Sequence, residues 1–239
     1  MAITAIEYGL LTYLRQNGNL PAKPNVLEFG EANWFGDMPV QQLANDIEAL
    51  VGDESTKNRL LSDLEKAQQD PGPAGQRQIA KIFYSTLLDQ ESLTAIDLFG
   101  SDEALMLDVN QPLALGKQFD ICFNFGTAEH VFNLFQLFKS VHEATRPGGL
   151  MIHGTALSGW YDQGFYNFKP EYYWALAAKN GYEVLAMVYA ELHPLKMLEI
   201  QSREDFMAMV KEGRISNDSL LYAVMKKPAA NSEFQIPAR

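Results

Sequence analysis

The sequence predicts an α/β fold built on a mostly parallel sheet, and three observations carry that prediction. Strand-like and helix-like segments alternate along most of the chain, the pattern of strand–helix–strand units. The run Phe119-Asp-Ile-Cys-Phe-Asn-Phe125 is apolar on both faces, as a central parallel strand must be. The segment Asn25-Val-Leu-Glu-Phe-Gly30 stops a short apolar run at an acid and a glycine, the signature of a buried strand ending in a tight turn.

Strands are expected at 26–29, 94–98, 104–107, 120–125, 150–154, 182–189 and 220–226. A helix over about 131–145 places Leu134, Phe135, Phe138 and Val141 on one face, and Arg146-Pro-Gly-Gly149 ends it. Another runs over about 170–179, with Pro170 at its start and Asn180-Gly181 at its end. Ser202-Arg-Glu-Asp205 opens a further helix that ends near Gly213. Residues 38–93 are long for one connection, since a whole strand–helix–strand unit needs only about thirty residues. Three apolar stripes mark three helices there: Val40 to Val51, Leu60 to Ala67, and Ile79 to Leu87. The expected reading is a connecting helix plus an inserted helical element, either a lid over the acceptor site or added packing. The tail, 228–239, is polar and expected to fray.

At 239 residues, one domain over 1–239 with a well-buried core is expected. A net charge of -11 opposes a protein that grips nucleic acid by neutralising phosphates. The single cysteine, Cys122, lies in an apolar run and reads as a buried structural thiol. Nothing resembles a signal peptide or a membrane span, so a cytoplasmic protein without membrane partners is expected. The four histidines are scattered, and no cluster has metal-ligand spacing.

Four ordered motifs resemble the class I S-adenosylmethionine-dependent methyltransferases. They are Leu27-Glu-Phe-Gly30; Ala95-Ile-Asp-Leu98; Leu105-Met-Leu-Asp-Val109; and Phe119-Asp-Ile-Cys-Phe-Asn-Phe-Gly-Thr-Ala-Glu-His-Val131 followed by Arg146-Pro-Gly-Gly-Leu-Met-Ile152. The resemblance spans roughly residues 25–226 and leaves the inserted helices unmatched. It implies a Rossmann-like, doubly wound, seven-stranded sheet whose last strand runs antiparallel. It also implies S-adenosylmethionine as cofactor, held beyond the carboxyl ends of the strands.

By that resemblance Asp97 accepts from the ribose hydroxyls and Asp108 from the adenine amino group, with Val109 as a backbone donor. Gly30 lets the backbone approach the methionine part, which Glu28 orients, and Asn124 and Phe125 end the fourth strand beside the sulfonium. Asn33 and Trp34 depart from the small residues common in this loop; Trp34 reads as a stacking residue or a packing anchor.

The glycine- and aromatic-rich loop after the fifth strand, with Trp160, Tyr161, Asp162 and Tyr166, is expected to form the acceptor wall. His153, placed at that strand's end, is expected to act as general base, with Glu129 and His130 as further catalytic candidates. A helix-cap or core role competes for each of the three. The expected function is methyl transfer to a small polar or cyclic metabolite at oxygen. A protein or RNA methyltransferase, or a non-catalytic binding partner of the same fold, stands beside it, and homodimerisation is left open.

Overall fold

The computed structural model of the protein describes residues 2–230 and 232–238. The chain forms two compact units, residues 1–25 with 31–93, and residues 26–30 with 94–239.

The first unit carries β1 (Ala2–Ile3), α1 (Ala5–Gln16), the short β3 (Asn33–Trp34), α2 (Val40–Leu50), α3 (Glu54–Gln68) and α4 (Pro73–Leu88). The three helices fall where the three apolar stripes place them. Helix α1 is nucleated by a capping box, in which the Thr4 hydroxyl accepts from Ile6 N–H and Glu7 Oε2 accepts from Thr4 N–H at 2.8 Å. Instead of leading directly into a helix, the chain after Gly30 makes β3, which pairs in parallel with β1. Trp34 is buried against Tyr8 and Phe83, with ring centroids 6.1 and 6.0 Å away. It is a packing anchor of this unit.

The second unit is organised by a seven-stranded sheet. Its strands are β2 (Asn25–Phe29), β4 (Ser92–Ile96), β5 (Phe119–Phe125), β6 (Thr145–Ser158), β7 (Glu183–Leu192), β8 (Leu195–Glu199) and β9 (Ser219–Lys226), in the order β4-β2-β5-β6-β9-β7-β8. Pairs β2–β5 and β5–β6 are parallel, and β9 runs antiparallel between β6 and β7. From β2 the chain goes first to β4 on one side, then to β5 on the other. The switch in winding direction therefore lies between β2 and β5, where open α/β sheets bind ligands.

Seven strands are present, but not the seven expected. Residues 104–107 give only a single parallel bridge, Ile96 to Leu105. Leu107 N–H turns back onto Leu105 C=O at 2.8 Å and Asp108 caps the following turn, so the ladder stops after one residue. The seventh strand is β8, which forms an antiparallel hairpin with β7.

Helix α5 (Leu134–Ala144) follows a 3-10 turn, Ala128–His130, and is capped by Asn133, whose side chain accepts from Gln136 N–H. Leu137, Phe138 and Val141 are buried, whereas Phe135 is half-exposed and meets Phe234 at 5.9 Å. Phe135 was expected on the core face, and the tail is what it packs against. Helices α6 (Pro170–Asn180) and α7 (Arg203–Lys211) take their expected places, with the Ser202 hydroxyl accepting from Asp205 N–H at 3.1 Å.

The tail is tied down rather than frayed over its described residues. Ser232 C=O meets His142 Nε2 at 2.7 Å, and Gln235 N–H donates to Asn180 Oδ1 at 2.7 Å. Asn231 and Arg239 lie outside the described residues. Just before the tail, Lys227 is buried and its Nζ donates to the carbonyls of His142 and Thr145 at 2.7 and 2.9 Å. It thereby satisfies carbonyls at the end of α5. Lys227→Met keeps the volume but strips both bonds, and should cost about 2 kcal/mol of stability in denaturant unfolding. An unchanged midpoint would show that water replaces the ammonium.

Candidate functional site

Every expected cofactor residue maps to the second unit, around the carboxyl ends of β2, β4 and β5. Gly30 follows β2 with φ of 100°, a conformation that a side chain strains, and its N–H donates to Ile96 C=O at 2.7 Å. Its contribution to a ligand is therefore close approach and not a donor. Glu28 is buried in β2, directly opposite Phe123 of β5. The Thr127 hydroxyl donates to Phe29 C=O, so the loop after β5 is joined to the end of β2 across the switch point.

Asp97 immediately follows β4, and its Oδ1 accepts from Phe99 N–H at 2.9 Å. Asp108 Oδ1 accepts from the backbone and side-chain N–H groups of Asn110 at 2.9 and 2.8 Å, and these bonds hold its pKa below the usual carboxylate value. The Ile96–Leu105 bridge sets the two acids on neighbouring segments. Beside them Leu98, Leu105 and Met106 are exposed, and Phe99 is 91 % exposed. Two carboxylates flanked by open apolar side chains suit a ligand with a diol and a flat heterocycle.

Asn124 and Phe125 end β5 with both side chains buried, so only their backbone faces the edge. The Asn124 side chain turns inward. Its Oδ1 accepts from Ala128 N–H at 3.0 Å, which points its NH2 at His153 Nδ1, also 3.0 Å away. His153 Nδ1 is thus the acceptor, and Nε2 carries the proton.

That arrangement corrects the expectation for His153. Strand β6 does not stop at Gly154 but continues to Ser158, because β9 pairs with it beyond the end of β5. His153 lies in mid-strand, 1 % exposed, with the rings of Phe138 and Tyr173 at 5.1 and 5.4 Å. Burial pushes its pKa down to about 3. Its Nε2 has no hydrogen-bond partner among the described residues. It is a core histidine held neutral by burial, in mid-strand rather than at the strand's end, where the general-base role had placed it.

Glu129 and His130, in contrast, sit on the 3-10 turn at the carboxyl end of β5. Glu129 is 7 % exposed, and burial raises its pKa to about 7 against the opposing pull of the Glu129 and Ala156 backbone N–H groups. His130 is exposed, with its pKa lowered by partial desolvation. A buried carboxyl that titrates near neutrality is suited to general acid–base work.

The loop after β6 is fastened to this turn. Phe165 N–H donates to Glu129 C=O at 2.5 Å, and Tyr166 Oη donates to Phe132 C=O at 3.1 Å. Gly159 and Trp160 both take positive φ, 78° and 57°. Trp160 is held there by two bonds, its N–H to Asp218 Oδ1 at 2.9 Å and its indole N–H to Ser219 C=O at 3.1 Å. Trp160 thus anchors the loop, while Tyr161 and Asp162 are exposed at its tip. Sequence reasoning missed Phe132 and Phe165; their exposure follows from these loop bonds, which no local pattern shows.

A cavity of about 530 Å³, lined by Gln118, Phe135, Lys139, His142, Lys227 and Phe234, lies by the amino end of β5, away from these groups. Among the described residues no group of three or more His, Cys, Asp or Glu is placed to hold a metal ion. No described helix is long and apolar enough to cross a membrane.

Compared with known proteins, the sequence matches no protein-family model and no curated protein. Similar solved structures include the N-methyltransferase NodS of Bradyrhizobium japonicum, at 13 % identity over 93 % of this chain and 86 % of that one, TM-score 0.44. A 1,6-didemethyltoxoflavin-N1-methyltransferase of Burkholderia thailandensis is similar at 12 % identity over 94 % and 79 %, TM-score 0.41. YcgJ of Bacillus subtilis is similar at 8 % identity over 93 % and 100 %, TM-score 0.48. At such distances these likenesses carry no argument about activity.

Two changes test the geometry. A Cβ at Gly159 would fall 2.3 Å from Asp218 N, so Gly159→Ala should lower stability by about 1–3 kcal/mol and release the loop to proteolysis. Glu129 binds a proton in the folded state over a range where the unfolded carboxyl has lost it. It therefore withdraws stability as pH rises from about 4.5 to about 7. His153 acts in the opposite sense below 6.5, so the two must be separated by comparison. The stability of Glu129→Gln relative to the wild type should climb with pH through that window and level off above 7. A flat difference would mean the carboxyl is hydrated.

Proposed function

We propose that the protein is an S-adenosylmethionine-dependent methyltransferase acting on a small molecule at oxygen. The observation that carries this reading is the placement of Gly30, Asp97, Asp108 and the Glu129–His130 turn beyond the carboxyl ends of β2, β4 and β5, the edge that holds the switch point. When bound, the cofactor would supply an electrophilic methyl on a sulfonium, which would leave as a neutral thioether once the methyl passed to the acceptor oxygen.

The chain's own residues do the rest. Asp97 accepts the ribose hydroxyls, Asp108 and the Val109 N–H hold the adenine edge, and Gly30 admits the methionine part against the backbone. Glu28, buried in β2, orients that part through the strand rather than by open contact. Across the switch point the Glu129 carboxylate takes the acceptor's proton, with His130 as the exposed group that exchanges it with solvent. The loop carrying Trp160, Tyr161, Asp162 and Tyr166 walls the acceptor from water. The negative charge of the chain supports a small acceptor over RNA.

Calorimetry with S-adenosylmethionine and S-adenosylhomocysteine tests the reading. Asp97→Ala should weaken both by about 1.5–3 kcal/mol, since a charge-assisted acceptor is lost. No binding to the wild type would remove the cofactor and leave a binding module of the same fold. Once an acceptor is in hand, Glu129→Gln should lower turnover roughly 100- to 10,000-fold with cofactor affinity kept. An equal loss in His130→Ala alone would give the proton to His130.

A further inference from the structure

Three exposed aromatic rings stand on the segment just past the Glu129–His130 turn and on the loop after β6 that is bonded to it. Tyr161 is 87 % exposed, Phe132 72 % and Phe165 63 %. Phe132 and Phe165 do not swing on the free loop tip that carries Tyr161. Phe132 lies two residues past His130, directly before the Asn133 cap of α5. Phe165 is fixed by its N–H on Glu129 C=O, and Gly164 packs so closely that a Cβ would fall 2.8 Å from that same oxygen. Tyr166 ties the loop to Phe132 through its hydroxyl, and its ring meets Phe165 at 6.2 Å. Phe132 and Phe165 meet edge to face, 5.8 Å between centroids and 88° between planes.

An edge-to-face pair makes an L-shaped corner with one free ring face on each wall. Such a corner is completed by a third flat ring, stacked on one wall and edge-on to the other. The backbone that carries the corner also carries the carboxyl proposed to take the acceptor's proton.

We propose that this corner is the acceptor's binding platform and that the acceptor is a planar aromatic hydroxyl compound rather than a sugar. Phe132 and Phe165 hold the ring, Tyr161 covers it, and the hydroxyl is directed at the Glu129–His130 turn. The proposal rests on the methyltransferase reading for its chemistry, though not for the binding itself, and it adds no step to the transfer.

Fluorescence titration with umbelliferone, a flat phenol, tests the platform on the full chain, without and with S-adenosylhomocysteine. The expected result is saturable binding to the wild type that methyl α-glucoside does not displace. Phe132→Leu and Phe165→Leu keep apolar area but remove ring faces, and each should weaken binding about 2- to 10-fold. Phe165→Trp should retain it. Thermal melts check that these exposed changes leave the fold intact. Leucine variants that bind as tightly as the wild type overturn the proposal, as does displacement by the glucoside or no saturable binding. Concentration-dependent dimerisation abolished by the leucine variants also overturns it, since a second copy then covers the rings. Calorimetry with S-adenosylhomocysteine on the same samples reports separately on the cofactor reading, so the failure of one is told apart from the failure of the other.

Discussion

The Asn124 amide is the interaction on which the candidate site depends. Its two ends are committed in different directions, one to the 3-10 turn and one to the core. Oδ1 takes Ala128 N–H and so fixes the start of the turn that carries Glu129 and His130. Nδ2 donates to His153 Nδ1, and that ring is packed between Phe138 and Tyr173. The turn is thereby registered against the interior of β6 and α5. A buried amide with both ends satisfied is stabilising, whereas half of one is costly, which makes the contact specific as well as strong.

Burial then divides the titratable groups by depth. His153, deep in mid-strand, is held neutral and serves as a fixed acceptor for Asn124. Glu129, slightly less enclosed, is pushed up by burial to about 7. Cys122, enclosed in β5, is raised by burial to about 12. The same desolvation holds the histidine neutral and raises the carboxyl and the thiol, according to the depth at which each element places its group.

The extra length of β6 has a consequence of its own. Beyond Gly154 the strand has lost β5 as a partner, and the Ala156 C=O accepts instead from Phe168 N–H at 2.7 Å. The Glu129 carboxyl draws on the Ala156 N–H from the same side. The aromatic loop is thus folded back along the free edge of β6 and pinned to the 3-10 turn, rather than left as an open excursion.

The sequence by itself determined the elements whose signals are local. Acid-and-glycine strand ends at Glu28–Gly30, the doubly apolar β5, the Pro170 start of α6 and the Ser202 cap of α7 each need only neighbouring residues. The three stripes between 38 and 93 likewise become helices because a 3.6-residue period is self-contained. Tertiary structure decided what depends on distant partners. Pairing with β9 carried β6 past His153 and buried it; Asp108 capping the turn at Asn110 stopped the third strand at one bridge. The turn after Leu192 folded β8 onto β7, and the Asn180 and His142 bonds seated the tail. Which groups of the candidate site face solvent is fixed by those long-range hydrogen bonds, since depth is a property of the packed sheet and not of any short stretch of chain.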